Sequence, residues 1–305
     1  MRKGITLAIC SYLAWGLFPL YFKSLVGVTP LEILSHRILW ALPFLLLVLA
    51  VRSQWSWLST ILRRPGVLGG FIASATLLSV NWLLYIWAVT NDRIIDGSLG
   101  YFITPVVNVL LGYILLKERL RAAQWVAVAL AACGVLWLAV LNGHMPWISL
   151  ALAFSFGCYA LLRKTAALGA LEGLTLETML LFPCALAYVI YLGTQNANAF
   201  SAAWANGDNL PWLLMAAGPI TAIPLLSFSY AARLIPMSTL GILQYISPSI
   251  QLLIGIWIYH EPFSVGRLTG FIIIWSALML YSAEGLWRGY QLRNQPVTRS
   301  EKSTD

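Results

Sequence analysis

The sequence predicts an all-α polytopic membrane protein, with ten transmembrane helices arranged as two inverted five-helix repeats. Three observations carry this. Of the 305 residues, 60% are hydrophobic and only 10% charged, whereas roughly a quarter of a soluble domain is charged. The apolar runs are too many and too long for a soluble core, and the mean hydropathy is +0.79. Finally, one motif, Pro-x6-Gly-x5-Glu, occurs twice, as Pro105, Gly112 and Glu118 and again as Pro248, Gly255 and Glu261.

Taken in order, the apolar segments predict helices over about 4–24, 31–51, 67–90, 95–116, 122–141, 146–163, 174–193, 211–232, 237–259 and 264–287, lengths suited to a hydrocarbon core about 30 Å thick. Arg2 and Lys3 precede the first run, but no small-residue cleavage site follows, so an uncleaved first span is expected. Basic residues set the orientation. With the N-terminus inside, fifteen fall on the inner side (Arg2, Lys3, Arg52, Arg63, Arg64, Lys117, Arg119, Arg121, Arg163, Lys164, Arg233, Arg288, Arg293, Arg299, Lys302) and three, Lys23, Arg93 and Arg267, on the outer. Both termini are thus expected in the cytoplasm, and the loop Thr194–Asp208 outside. Trp55, Trp57, Trp147, Trp212 and Trp287 sit near span ends, as in an interfacial aromatic belt. The polar tail 291–305 follows the last span, and from Asn294 on it has the composition of a disordered segment.

The net charge of +8 is explained by these inner loops and calls for no nucleic acid. Cys10, Cys133, Cys158 and Cys184 fall in four separate apolar segments without metal-ligand spacing, so no disulfide framework and no metal or other cofactor is expected.

The repeat extends beyond its motif. Gly16 matches Gly157, Lys23 matches Lys164, and His36-Arg37, six residues before Pro43, matches Leu176-Glu177 before Pro183. The chain therefore divides into 1–142 and 143–290. Because five spans is an odd number, the second half enters the membrane from the opposite side. Such inverted repeats mark secondary transporters, with a midplane site between rocking halves.

The runs Ala14-Trp15-Gly16, His36-Arg37, Asn81 to Val89, Ser98 to Ile103, Leu152 to Phe156, Glu177-Thr178 and Ser238 to Gly241 carry a resemblance. Over nearly its whole length the chain resembles the EamA-type permeases of the drug/metabolite transporter superfamily, and among them the RarD group. The resemblance implies ten transmembrane helices, two EamA repeats, a bacterial inner-membrane location, and a central cavity built from the first, third and fourth spans of each half. It further implies export of small metabolites, amino acids among them, or of drugs.

Several intramembrane residues are candidates for that cavity. Asn108 and Gln251 stand three residues after the matched prolines, and a buried amide offers donors and acceptors to a polar solute, the favoured reading, or to a neighbouring helix. Gln244 and Asn81 are read in the same two ways. Trp15, Tyr85, Tyr101, Tyr159, Phe228 and Tyr245 lie on the lining spans and can stack on an aromatic or amphipathic solute. Arg37 is about 9 Å from the outer end of its span by helical rise. There it calls for a partner, and Asp96, Asp92 and Glu32 are on its side. A structural or gating ion pair around His36 and Arg37 is favoured over direct anion binding. Glu177 is their counterpart near the inner face, with Arg163, Lys164 and Arg233 in reach. A proton-coupling role for Glu177 or His36 is chemically allowed. Pro105 and Pro248 are matched candidates for a hinge, and Glu118 and Glu261 for caps between helices.

A membrane-embedded enzyme is the alternative, but His36, His144 and His260 are in separate segments and no HExxH, GxSxG or phosphate-binding loop is present. A non-transporting scaffold would have almost no extramembrane surface to work with. The expected partners are a small-molecule substrate and the lipid bilayer; nothing in the sequence sets an oligomeric state.

Overall fold

The structure, a computed structural model, describes residues 2–52, 55, 57–58, 61, 65–117, 120–143, 145–235 and 243–293. Glu118, Arg119, Arg63, Arg64, His144, the run Ser238 to Gly241 and the tail from Asn294 lie outside these residues, as do the side chains of Lys164 and Arg233. The described residues form helices α1 (Arg2–Gly16), α2 (Phe18–Lys23), α3 (Pro30–Arg52), α4 (Pro65–Thr90), α5 (Ile94–Leu116), α6 (Ala122–Asn142), α7 (Trp147–Thr165), α8 (Ala170–Thr194), α9 (Ala199–Asn206), α10 (Leu210–Leu234), α11 (Ile246–Leu253) and α12 (Val265–Arg293). A π-helical turn, Ile254–Ile258, continues α11. Eight stretches are long and apolar enough to cross a membrane, α1 and α2 counting as one, while Trp147–Arg163 and Ile246–Ile258 are shorter apolar helices.

The first span is broken where the sequence reading made it continuous. Pro19 has no N–H, so the carbonyl four residues back, that of Trp15, has no helical partner. The helix closes at Gly16, with Leu17 N–H bonded to Leu13 O and Ala14 O, and restarts as α2. The matched prolines sit differently in their helices. Pro105 lies inside a continuous α5. Pro248 is in the first turn of α11, just past the turn at Gln244 and Tyr245, where the missing N–H costs little. Beyond Pro248 the irregularity comes later, at the π turn around Gly255. There the N–H of Tyr259 reaches back to Ile254 O (3.1 Å) and that of Glu261 to Gly255 O (2.9 Å). One helix, α9, was not expected at all. Asn198 caps it by accepting from Ser201 N–H, and Glu32 of α3 accepts from Ala199 and Phe200 N–H.

The main packing runs between the halves. α1 lies on α10 and α11, and α7 lies on α4 and α5; α3 packs on α10, and α8 on α4. α3 also packs on α8, α5 on α11, and α6 on α12. Exchanging each helix for its counterpart in the other half returns the same set of pairs. Close approach is permitted by small residues. A Cβ on Gly16 would stand 2.9 Å from Ile250, and one on Gly157 2.9 Å from Val107; Ile250 and Val107 are each two residues past a matched proline. At the seam of α3 on α10 backbone meets backbone: a Cβ on Gly218 would fall 2.3 Å from the carbonyl carbon of Trp40.

Gly218→Leu is therefore expected to abolish folded yield in detergent, because backbone cannot move aside as a flexible side chain would. Gly193→Leu, which meets nothing within 4 Å, should leave the size-exclusion profile unchanged.

Candidate functional site

α4 is the spine of the candidate site, since Ser74, Asn81, Trp82 and Tyr85 along it meet α2, α3, α5, α7 and α8. Asn81, 1% exposed, donates through Nδ2 to Leu152 O and Ser155 Oγ of α7, both at 3.0 Å, and its Oδ1 accepts from the Tyr101 hydroxyl at 3.3 Å. Its amide thus joins α4, α5 and α7. From Tyr101 a row of rings runs in both directions: to Phe156 (6.1 Å) and on to Tyr159 (5.9 Å), and to Tyr85 (5.6 Å) and on to Phe22 (6.0 Å). Of the sequence candidates, Asn81, Tyr85, Tyr101 and Tyr159 thus belong to one constellation.

Arg37 meets this row from α3. Its guanidinium lies 3.9 Å from the ring centroid of Trp82, with Phe18 and Phe22 at 5.9 and 5.8 Å. The expected ion pair is not formed: among the described residues no carboxylate reaches it. Asp92 pairs with Lys23, Asp96 with Arg93 at 3.5 Å, and Glu32 caps α9. Arg37 is 3% exposed, and its Nε has no hydrogen-bond partner. A mid-membrane arginine costs about 2.5–3.5 kcal/mol on insertion scales, and a desolvated cation–π contact offsets about 2 kcal/mol. His36 faces elsewhere, stacked 5.0 Å from Phe200 of α9 with both ring nitrogens unpartnered.

Toward the end of the bundle that holds the connection between α7 and α8, Glu177 forms the second polar centre. It is 1% exposed, accepts from Ser74 Oγ at 2.6 Å and the Tyr159 hydroxyl at 3.5 Å, and faces Arg163 Nη1 at 3.8 Å. Arg163, one of the partners the sequence offered, is in place. A cavity of about 240 Å³ lined by Phe71, Ser74, Leu162 and Ala166 adjoins it.

Trp15 and Phe228 form a separate aromatic group with Tyr12, at centroid distances of 5.5–5.9 Å. Gln251 closes this group against α11. Its Nε2 donates to Trp15 O at 3.0 Å, the carbonyl that Pro19 leaves free, and to Ser247 Oγ at 3.2 Å. Its Oε1 is buried without a partner. Asn108, its counterpart, is exposed beside Gly157, and α7 has Ala160 where α2 has Pro19, so no freed carbonyl awaits it. The equivalence expected of the two amides is therefore not kept. Tyr245 stacks on Phe102 at 6.3 Å in a different cluster, and Gln244 is half-buried in the turn before α11.

The far end is tied across the halves. Lys23 pairs with Asp92 and lies 5.3 Å from the Tyr259 ring. Glu261 accepts from Ile94 N–H (2.6 Å) and Ile95 N–H (2.9 Å), holding the end of the π segment to the start of α5. Burial raises the Glu261 carboxyl above the usual range, with Asp96 and Asp92 adding to the rise and the two N–H donors opposing it. A cavity of about 220 Å³ lies outside this tie, lined by Asp92, Arg93, Asp96, Trp147, Glu261 and Arg267 among others. Reading the sequence missed Trp82, Ser74 and the Lys23–Asp92 pair. A lysine at the end of one span and an aspartate in the next hairpin on the same side was the available signal for the last.

Residues 2–140 match the EamA-like transporter family. Protein RarD of Streptomyces exfoliatus is 44% identical over 93% of this chain and 90% of its own length. An uncharacterized transporter, YojE, of Bacillus subtilis is 45% identical over 92% and 94%. The chloramphenicol-sensitive protein RarD of Pseudomonas aeruginosa is 30% identical over 91% and 93%. A solved crystal structure shares the fold, with a TM-score of 0.58 at 16% identity over 91% of this chain and 96% of that one. With its apolar helices and these relatives, the chain belongs to the EamA-like transporter family, in the RarD group, and is a multi-pass membrane transporter.

Proposed function

We propose that this chain is a secondary transporter that moves small metabolites or drugs, amino-acid-like or aromatic amphipathic compounds, across the bacterial inner membrane by alternating access. Halves 1–142 and 143–290 act as the inverted repeats, and both termini face the cytoplasm. The observation that carries this reading is the exchange relation in the packing: each helix meets in the other half what its counterpart meets in the first. Two equivalent arrangements of one unit, exchanged between halves, are the physical basis of an inward- and an outward-facing state. In the arrangement described here the far end is held by Lys23, Asp92, Tyr259 and Glu261. Access is then from the cytoplasmic end, past Glu177 and Ser74 toward Tyr101 and Asn81. Pro105 supplies flexibility in α5, and the π turn at Gly255 supplies it in the other repeat; a π turn is a usual mark of a functional bend. Glu177, adjoining the cytoplasmic cavity, is better placed than His36 to exchange protons.

Purified protein in liposomes is expected to dissipate a gradient of at least one compound from a metabolite and drug panel, saturably. No movement of any compound would overturn the carrier reading. Asn108→Ala should keep folded yield near normal and reduce flux several-fold; unchanged flux would remove Asn108 from the substrate path. Gln251→Ala should instead lower folded yield, since an unsatisfied buried carbonyl costs about 1–3 kcal/mol. Asp92→Asn loosens the far-end tie. An exposed ion pair contributes about 0.2–1 kcal/mol, so labelling at the far end should rise by no more than about five-fold, and Lys23→Asp with Asp92→Lys should return it to the wild-type level.

A further inference from the structure

Two of the buried polar atoms without a partner, Arg37 Nε and the Tyr85 hydroxyl, belong to the aromatic constellation around Tyr101. A guanidinium has five N–H donors in one plane. Trp82 covers a face of that plane at 3.9 Å, which leaves the edge, where the N–H groups point, free to bond. Among the described residues Arg37 makes no side-chain hydrogen bond and no ion pair. The Tyr85 hydroxyl, on a side chain 3% exposed, also has no partner. The hydroxyls of Tyr21, Tyr85 and Tyr101 lie within electrostatic reach of the guanidinium. Tyr21 is already engaged with Leu213 O at 2.6 Å and Tyr101 with Asn81 at the longer 3.3 Å. One fork of N–H donors and one free O–H thus converge in a low-dielectric setting walled by aromatic rings.

We infer that Arg37 and Tyr85 form a recognition point for the carboxylate of a small solute with an aromatic or apolar body. A carboxylate matches the planar fork bidentately and cancels its single charge. A phosphate dianion would leave an uncompensated negative charge at the same depth, and a cation would meet a like charge. Trp82, Phe22 and Tyr101 provide the faces on which the body of the solute stacks. In the closed arrangement Trp82 holds the guanidinium; on opening, the carboxylate takes over the in-plane bonds while the stack remains. The inference rests on the carrier reading only in treating this point as part of the substrate path. It replaces the ion pair expected from the sequence with a charge whose partner is the cargo.

The test is saturation binding of radiolabelled phenylacetate to the full chain in nanodiscs, competed by its neutral isostere phenylacetamide and by phenethylamine. Phenylacetate should bind at least ten-fold more tightly than phenylacetamide, and phenethylamine should not compete. Arg37→Gln should weaken phenylacetate at least thirty-fold and remove the preference over the amide, and Arg37→Lys should recover part of it. If Arg37→Gln does not fold, Tyr85→Phe, which removes only an unpartnered hydroxyl, is expected to fold normally and weaken phenylacetate three- to ten-fold. Equal competition by acid and amide, or wild-type binding by Tyr85→Phe, would overturn the inference. Liposome flux separates the two readings. Carboxylates that bind while no solute crosses would overturn the carrier and leave the anion site standing. Flux of neutral or cationic solutes without carboxylate binding would do the reverse.

Discussion

A carbonyl freed by proline inside the hydrocarbon has no water to turn to, and the way this chain satisfies it joins the two halves. Pro19 leaves Trp15 O without a helical donor, and Gln251 of the second half supplies one at 3.0 Å. The bond requires α1 and α11 to approach closely, and Gly16 against Ile250 permits it. Around this contact the aromatic group of Tyr12, Trp15 and Phe228 is assembled, and α10 is placed against α1. Gln251 therefore does structural work at a place where a substrate contact was favoured, and its Oε1 is buried without a partner.

The polar groups form an asymmetric pair of centres in a frame of matched helices. Arg37 and Glu177 are counterparts in sequence, six residues before matched prolines. One is a cation laid on Trp82 and the other an anion held by Ser74, Tyr159 and Arg163. Both touch α4, so that helix senses charge at two depths. A solute moving between them would pass Tyr159, Phe156, Tyr101 and Tyr85 in turn. The far-end tie uses Lys23, Asp92 and Glu261, the first two at a partly exposed position where the pair is weak enough to break.

Much of the fold was legible in the sequence because a lipid environment demands long apolar helices and closed backbone hydrogen bonding. Most of the long apolar helices and the small residues at Gly16 and Gly157 followed from spacing alone. What did not follow were contacts that depend on how helices rotate about their axes. Asp92, Asp96 and Glu32 were all on the correct side to pair with Arg37, yet each has a nearer donor: Lys23, Arg93 and the first N–H groups of α9. α9 itself was hidden in a polar loop, although Asn198 ahead of Ala-Phe-Ser-Ala-Ala-Trp is a capped helical start. Pro19 was not singled out in the sequence, and with it went the reason that Gln251 and Asn108 part company.

The claim that solute crosses only when the halves separate at the far end is tested most directly by locking that end. A Cβ on Gly255 would lie 3.5 Å from the Cβ of Ile94, within the Cβ–Cβ range of about 3.5–4.5 Å for a disulfide. Protein carrying Ile94→Cys and Gly255→Cys, with the four native cysteines replaced by serine or alanine, is to be assayed for liposome flux before and after reduction. The account predicts no flux when the pair is oxidised and recovery on reduction. Equal flux in both states would contradict it.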